Sequence, residues 1–249
     1  MTARFHYVLR LADTNLVLAQ RLGEWVGHAP ALEEDLGLAN VSLDLLGQAR
    51  LLFAHAGALE GRGRGEDEFA YLREESEYFN MTLVEQPNTD FGDTIVRQFL
   101  FDAWQAALYE SLAACRDATL AAIAAKGARE AAYHLRYSAG WLVRLGDGTP
   151  ESHARVEHSL AKLWPFTHEL FVDDDIDRAA ASEGMGVLAS TLEPSWSARV
   201  DGTLGSARLV RPAPATFGWY GKQGRHSEHL GYLLAEMQSL HRAHPGATW

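Results

Sequence analysis

One stretch of the sequence carries a leucine at every seventh position: Leu38, Leu45, Leu52 and Leu59. Seven residues are close to two helical turns, so these side chains fall on the same side of an α-helix. An apolar stripe of this length has to be covered by other helices. The repeat therefore predicts the core of a helical bundle rather than a cofactor-binding segment.

Apolar residues at helical spacing, interrupted by glycine and proline, predict further helices along the chain. Residues 173–226 give a weaker signal, and residues 203–217 are expected to be irregular or briefly extended. Four of the predicted helices are long and form two antiparallel pairs. We therefore predict an all-α, ferritin-like helical bundle with an additional C-terminal helix, forming a single domain over residues 1–249. The predicted helices cover residues 9–27, 32–60, 66–79, 90–116, 117–146, 150–171 and 227–245.

The composition excludes several classes of protein. The chain has 249 residues, with 22 Lys+Arg against 33 Asp+Glu and a net charge of −11. Such an acidic surface repels phosphate backbones, so no nucleic acid is expected as a partner. The single cysteine, Cys115, cannot form an intramolecular disulfide and is expected to be unreactive. With neither a signal-peptide core nor a membrane span visible, we expect a cytoplasmic protein with no membrane partner.

Polar side chains on the predicted inner helix faces are candidates for a buried site: Asp44, Asp102, Glu130 and His134. Carboxylates and a histidine converging from several helices are typical of di-iron sites in bundles. Such a site uses two Glu-x-x-His pairs, however, and none of the 33 acidic residues is followed by histidine three positions later. We therefore predict no catalytic, cofactor-binding or metal-binding residues. These four are vestigial pocket residues, whose acids are expected to pair with Arg97, Lys126, Arg129 or Arg136.

Three other polar clusters have simpler interpretations. The alternating glycines and arginines of residues 61–65 look like a phosphate-binding loop, but they complete no known motif and predict a flexible turn. His153, Glu157 and His158 are expected on a solvated helix face. The histidines around Glu228 at the start of the last helix, His226 and His229, are expected to be surface donors or interface contacts.

Several ungapped runs are similar to one family of proteins. They are LRLAD at residues 9–13, QRLGEWVGHAP at 20–30, LDLLGQAR at 43–50, EQPN at 85–88, FDAW at 101–104, YHLR at 133–136, EHLG at 228–231 and LAEMQ at 234–238. These runs resemble the PaaC family, the structural subunits of the multicomponent 1,2-phenylacetyl-CoA epoxidase of phenylacetate catabolism. The resemblance extends over residues 7–249 and is weakest at residues 183–216.

The resemblance implies a non-catalytic subunit that supports a homologous catalytic subunit holding the di-iron centre. Where the catalytic relatives carry Glu-x-x-His on the second helix, this chain has an acid at Asp44 but Gly47 in place of histidine. On the fifth helix it keeps His134 but has Ala131 in place of the acid. The implied partners are that catalytic subunit and further components of the complex, including a reductase. A homodimer is a further expectation for the isolated chain.

Two alternatives remain open at this point. The chain could be an independent di-iron carboxylate oxidoreductase whose atypical site uses Asp44, Asp102, Glu130 and His134. It could also be a helical protein that binds a small apolar ligand in the vestigial pocket. Metal content separates the first alternative from a structural subunit.

Overall fold

The computed structural model describes residues 2–215 and 218–247 of the chain. The chain divides into two compact units, Met1–Pro87 with Tyr220–Trp249, and Asn88–Trp219. The single domain over residues 1–249 stays a prediction. The described part of the chain contains nine α-helices: α1 (Ala3–Glu24), α2 (Leu32–Glu60), α3 (Glu66–Tyr71), α4 (Phe91–Leu112), α5 (Ala118–Gly146), α6 (Pro150–Leu163), α7 (Asp175–Ser182), α8 (Glu193–Ser206) and α9 (Glu228–Ala243).

In the first unit, α1 and α2 pack along each other. The helix α1 begins where the Thr2 hydroxyl accepts the N–H of Phe5 at 3.3 Å, which satisfies one of the amides that a helix start leaves unpaired. The helix α2 ends at Gly61, whose φ of 71° is left-handed and suits glycine. Leu38, Leu45 and Leu52 are buried as the leucine repeat predicts, whereas Leu59 is half-buried.

In the second unit, α4 packs along α5. The helix α4 is buried over nearly its whole length, while α5 buries one face. The two helices approach closely at Gly127, where an added Cβ would lie 2.6 Å from the Tyr109 ring. A side chain at this position would therefore displace the ring. This pair of helices positions the buried polar groups described below.

The helices α6 and α8 pack against α4 and α5 within the second unit. Trp196 of α8 is buried, and its indole N–H donates to the backbone oxygen of Leu100 at 3.0 Å. Its ring lies 5.6 Å from that of Trp164. Such a Trp both fills the core and satisfies its polar atom.

The secondary structure differs most from the predicted boundaries in three places. The helix expected over residues 66–79 ends at Tyr71, and the one expected over residues 150–171 is α-helical only to Leu163. From Trp164 to Phe171 the chain continues as a 3₁₀ helix, and Pro165 in this segment has no backbone N–H to donate. The sequence pattern misses α7 and α8, and α8 extends to Ser206 inside the stretch expected to be irregular. Residues 216 and 217 of that stretch lie outside the described residues.

Candidate functional site

The predicted pocket residues are distributed over both units. Asp44 lies on α2 in the first unit and is half-buried, whereas Asp102 on α4 and Glu130 and His134 on α5 belong to the second unit. Asp102 and His134 are both fully buried. The candidate site is therefore described around these two groups.

Asp102 accepts one hydrogen bond on each carboxylate oxygen. Its Oδ1 accepts from the amide Nε2 of Gln98 at 2.7 Å, and its Oδ2 accepts from the hydroxyl of Ser138, also at 2.7 Å. Gln98 precedes Asp102 by one helical turn, so the two share a face of α4. Ser138 follows His134 by one turn of α5. Two helices thus fix the carboxylate with neutral donors.

Burial dominates the electrostatics of this carboxyl group. Removing it from water disfavours the charged form and raises the pKa of Asp102 to about 6, although His134, Ser138 and Gln98 act in the opposite direction. A carboxyl group that titrates near pH 6 can hold or release a proton close to neutral pH. The arrangement can therefore store a proton.

The predicted pairing of the acids with cations is found for Glu130 but not for Asp102. Glu130 pairs with Lys126 on the same helix, with Nζ and Oε1 3.6 Å apart, as expected. Asp102 does not follow this pattern, because within the described residues its hydrogen-bond partners are an amide and a hydroxyl rather than Arg97 or another cation. Ser138 is a site residue that the sequence analysis missed. Its spacing of four residues from His134 was the available signal.

The donor set does not fit a di-iron centre. In residues 2–215 and 218–247, no group of three or more His, Cys, Asp and Glu side chains is arranged to hold a metal ion. Around Asp102 the structure places an amide, a hydroxyl and the buried imidazole of His134, whose charge acts on the carboxylate, whereas a carboxylate-bridged metal pair needs several anionic ligands. That the chain binds no metal remains a prediction, and a direct measurement of metal content tests it.

The first unit contains a second buried polar cluster. The prediction that His226 is a surface donor or interface contact is wrong, because its side chain has no exposed surface. Its Nδ1 lies 2.9 Å from Oε2 of Glu85, and its Nε2 lies 2.9 Å from the backbone oxygen of Tyr78. Both ring nitrogens therefore lie within hydrogen-bond distance of an oxygen atom of the protein. The sequence concealed this cluster because Glu85 lies 141 residues away.

The exposure of the other polar residues agrees with the prediction except at His153. Glu157 and His158 are exposed on α6, as expected for a solvated face, whereas His153 is half-buried. Its Nδ1 lies 2.7 Å from the backbone oxygen of Gly146. Burial raises the pKa of the Cys115 thiol, which lowers the fraction of reactive thiolate.

Comparison with known proteins identifies the family. The family model described as phenylacetic acid catabolic protein matches residues 1–249. The chain belongs to this family. The resemblance noted in the sequence is therefore confirmed, and so is an all-α fold of the ferritin-like class.

A curated relative is similar to this chain over nearly its full length. This relative is named as a subunit of the 1,2-phenylacetyl-CoA epoxidase of Escherichia coli (strain K12). The chain is 52% identical to it over 243 residues, which cover 98% of each of the two proteins. None of the described helices is long and apolar enough to cross a membrane.

Proposed function

We propose that this chain is the structural, non-catalytic subunit of a 1,2-phenylacetyl-CoA epoxidase in aerobic phenylacetate catabolism. In this proposal it forms a single ferritin-like domain in the cytoplasm. It pairs with a homologous catalytic subunit that holds the di-iron centre, and a reductase is a further component. The chain carries no cofactor of its own. The likeness to the Escherichia coli epoxidase subunit supports membership of such a complex. The buried site around Asp102 supports a non-catalytic role for this chain.

The hydrogen bonding of Asp102 is the observation that carries this proposal. Both of its oxygens accept from protein donors, Gln98 and Ser138. A di-iron centre would also need several anionic ligands close together, and in the described residues no group of three or more His, Cys, Asp and Glu side chains is arranged to hold a metal ion. The position that could contribute an acid to a di-iron centre serves here to join α4 to α5. The proposed task of the subunit is then to provide a rigid surface for its partner.

An exposed apolar surface on α2 supports the pairing with another subunit. Leu32, Leu36 and Leu43 are 70%, 57% and 64% exposed, and their spacings of four and seven residues place them on one side of the helix. We call these three residues the outer α2 face. Exposed leucines clustered in this way mark interaction surfaces more often than isolated ones do. The proposal assigns this face to the catalytic subunit.

Co-expression with the catalytic subunit tests the pairing. We expect the two chains to co-elute in size-exclusion chromatography, and Leu43→Glu to separate them because it places a charge in an apolar contact. Leu240→Glu is the matched control, since Leu240 is 55% exposed but lies on α9 rather than on the outer α2 face. Two independent wild-type peaks at micromolar concentration would contradict the pairing. Equal effects of the two variants would contradict the assignment of the face.

Metal analysis of the purified chain tests the absence of a catalytic centre. The proposal expects iron far below one equivalent after expression with added iron, and no change in His134→Ala. Near-stoichiometric iron that is lost in His134→Ala would instead favour the independent di-iron oxidoreductase. The two measurements are separate, so a failed pairing and a metal-binding chain can be told apart.

A further inference from the structure

A cavity of about 370 Å³ lies in the first unit. It is lined by the N-terminal turns of α1, the loop that follows α2 and the segment that follows α3. Phe5 and Leu9 form buried apolar parts of its wall, and Phe79 is half-buried beside them. Pockets for small molecules begin at roughly 300 Å³ and are mostly apolar with a few polar groups. The cavity therefore has room for one small organic molecule.

The loop after α2 brings two arginines to this cavity. Gly61 and Gly63 have left-handed φ angles of 71° and 76°, which glycine adopts without strain, and these turns carry Arg62 and Arg64 to the cavity lining. Arg62 is exposed and forms no hydrogen bond or ion pair within the described residues. The glycines of the loop thus have a definite role in placing both side chains.

The guanidinium group of Arg64 uses two of its three nitrogen atoms in an ion pair with Glu60. Its Nε and Nη2 donate to the Glu60 carboxylate at 2.8 and 2.6 Å. Its Nη1 makes no hydrogen bond in the described part of the chain. Arg64 is also close enough to the buried Arg73 for the two charges to repel each other. An oxyanion near them would relieve this repulsion and use the remaining donors.

The acidic groups near the cavity are already engaged. Asp13 accepts two hydrogen bonds from Arg73, one of them at 3.0 Å from Nη1. Glu77 lines the cavity, and its Oε2 accepts the backbone N–H of Glu74 at 2.8 Å. With Glu60, these carboxylates formally balance the three arginines. The guanidinium donors of Arg62 and Arg64 that remain lie beside these carboxylates, so an anionic ligand is expected to bind weakly.

Another part of the cavity lining is aromatic and uncharged. The His6 ring meets the Phe79 ring edge-on, with centroids 5.4 Å apart and an interplanar angle of 84°. It also meets the Phe5 ring at 5.2 Å. Burial, and secondarily Arg10, lowers the pKa of His6, so this ring is neutral at pH 7. Flat apolar groups pack well against such a surface.

We propose that this cavity binds a small aromatic carboxylate. The ring of the ligand packs against Phe5, His6 and Phe79, and its carboxylate accepts hydrogen bonds from Arg62 and Arg64. The aromatic wall and the guanidinium donors lie in one cavity of suitable volume. The wall contacts the ring of such a molecule, and the donors bind its carboxylate. The site lies wholly within the first unit and does not depend on the proposed role in the epoxidase.

Titration of the full-length chain with benzoate tests the proposal. We expect a Kd on the order of 1 mM by calorimetry, with shifts of the His6 ring protons in NMR spectra assigned through His6→Gln. Arg62→Gln should weaken binding about fivefold or more because it removes a charged donor. Arg62 is exposed, and its charge acts on Glu60 without a recorded hydrogen bond in the described residues, so the fold should be unaffected. Arg129→Gln, an exposed arginine on α5, is the matched control and should bind like wild type.

Two further ligands separate the two halves of the proposed site. Benzyl alcohol has the ring without the charge, and inorganic phosphate has a charge without the ring. Both should bind at least about tenfold more weakly than benzoate, because each lacks one recognised half. Equal binding of either ligand would overturn the proposal. So would absence of benzoate binding at about 50 mM, unchanged affinity in Arg62→Gln, or unshifted His6 protons.

Discussion

Asp102→Asn should stabilise the protein at neutral pH but not in acid. The carboxylate is fully buried and is held by Gln98 and Ser138. Asparagine has nearly the same shape and keeps one acceptor oxygen. It cannot ionise, so it resembles the protonated form of the native side chain. The variant therefore removes the charge while leaving the packing almost unchanged.

The size of the effect follows from the pKa difference between folded and unfolded chains. The pKa of Asp102 is about 6 in the fold, against an ordinary value of 3.8. This difference of about 2.2 pH units corresponds to about 3 kcal/mol at 1.36 kcal/mol per unit. Between pH 3.8 and 6 the folded chain binds more protons than the unfolded chain. Its free energy of unfolding therefore falls as the pH rises through this window.

Urea denaturation followed by circular dichroism measures this effect. We expect the stability of Asp102→Asn relative to wild type to increase by about 2.4 kcal/mol between pH 4 and pH 7, because the first part of the full effect is already present at pH 4. Asp67→Asn is the control, because Asp67 is exposed and its replacement should give a nearly constant difference. Parallel pH profiles for Asp102→Asn and wild type, within about 0.5 kcal/mol, would refute the argument that burial raises the pKa of this carboxyl.

Two further predictions concern close packing and buried charge. Gly127→Ala should destabilise the chain by about 1–3 kcal/mol because its Cβ meets the Tyr109 ring. Gly140→Ala, on the same helix with open space around it, should be neutral or stabilise by up to about 1 kcal/mol; similar urea midpoints for the two variants would contradict this. Arg73→Met should cost about 3–5 kcal/mol in urea denaturation because it leaves Asp13 buried without its ion pair, and Asp13→Asn added to it should recover part of the loss.

The long helices could be predicted because their apolar residues recur over many turns. Leu38, Leu45 and Leu52 indicate the buried side of α2 without any knowledge of what covers it. The helix α8 gave no comparable signal, since its buried residues are only Trp196, Val200 and Leu204. Three apolar residues at four-residue spacing among serines and glycines do not distinguish a short helix from a loop. Its position depends on tertiary packing, which local periodicity does not contain.

The members of the candidate site were predictable only in part, and its chemistry was not. The inner-face pattern identified Asp102 and His134, and both are buried. The pattern did not reveal whether cations or neutral donors compensate the carboxylate. That choice depends on Ser138 of another helix, 36 residues away. The Glu85–His226 contact spans 141 residues and escaped prediction for the same reason. Spacing along one helix reveals a shared face, but contacts between distant segments need the fold.

The helix α2 connects the fold to the proposed role in a complex. Its inner side buries Leu38 and Leu45, while Leu36 and Leu43 on its outer face remain exposed. A helix that is apolar on opposite sides is typical of the interior of a protein rather than of its surface. Within the first unit, other parts of the chain cover only one side of α2. The sequence of α2 is therefore that of a buried helix, and the outer α2 face is explained if another subunit completes its burial.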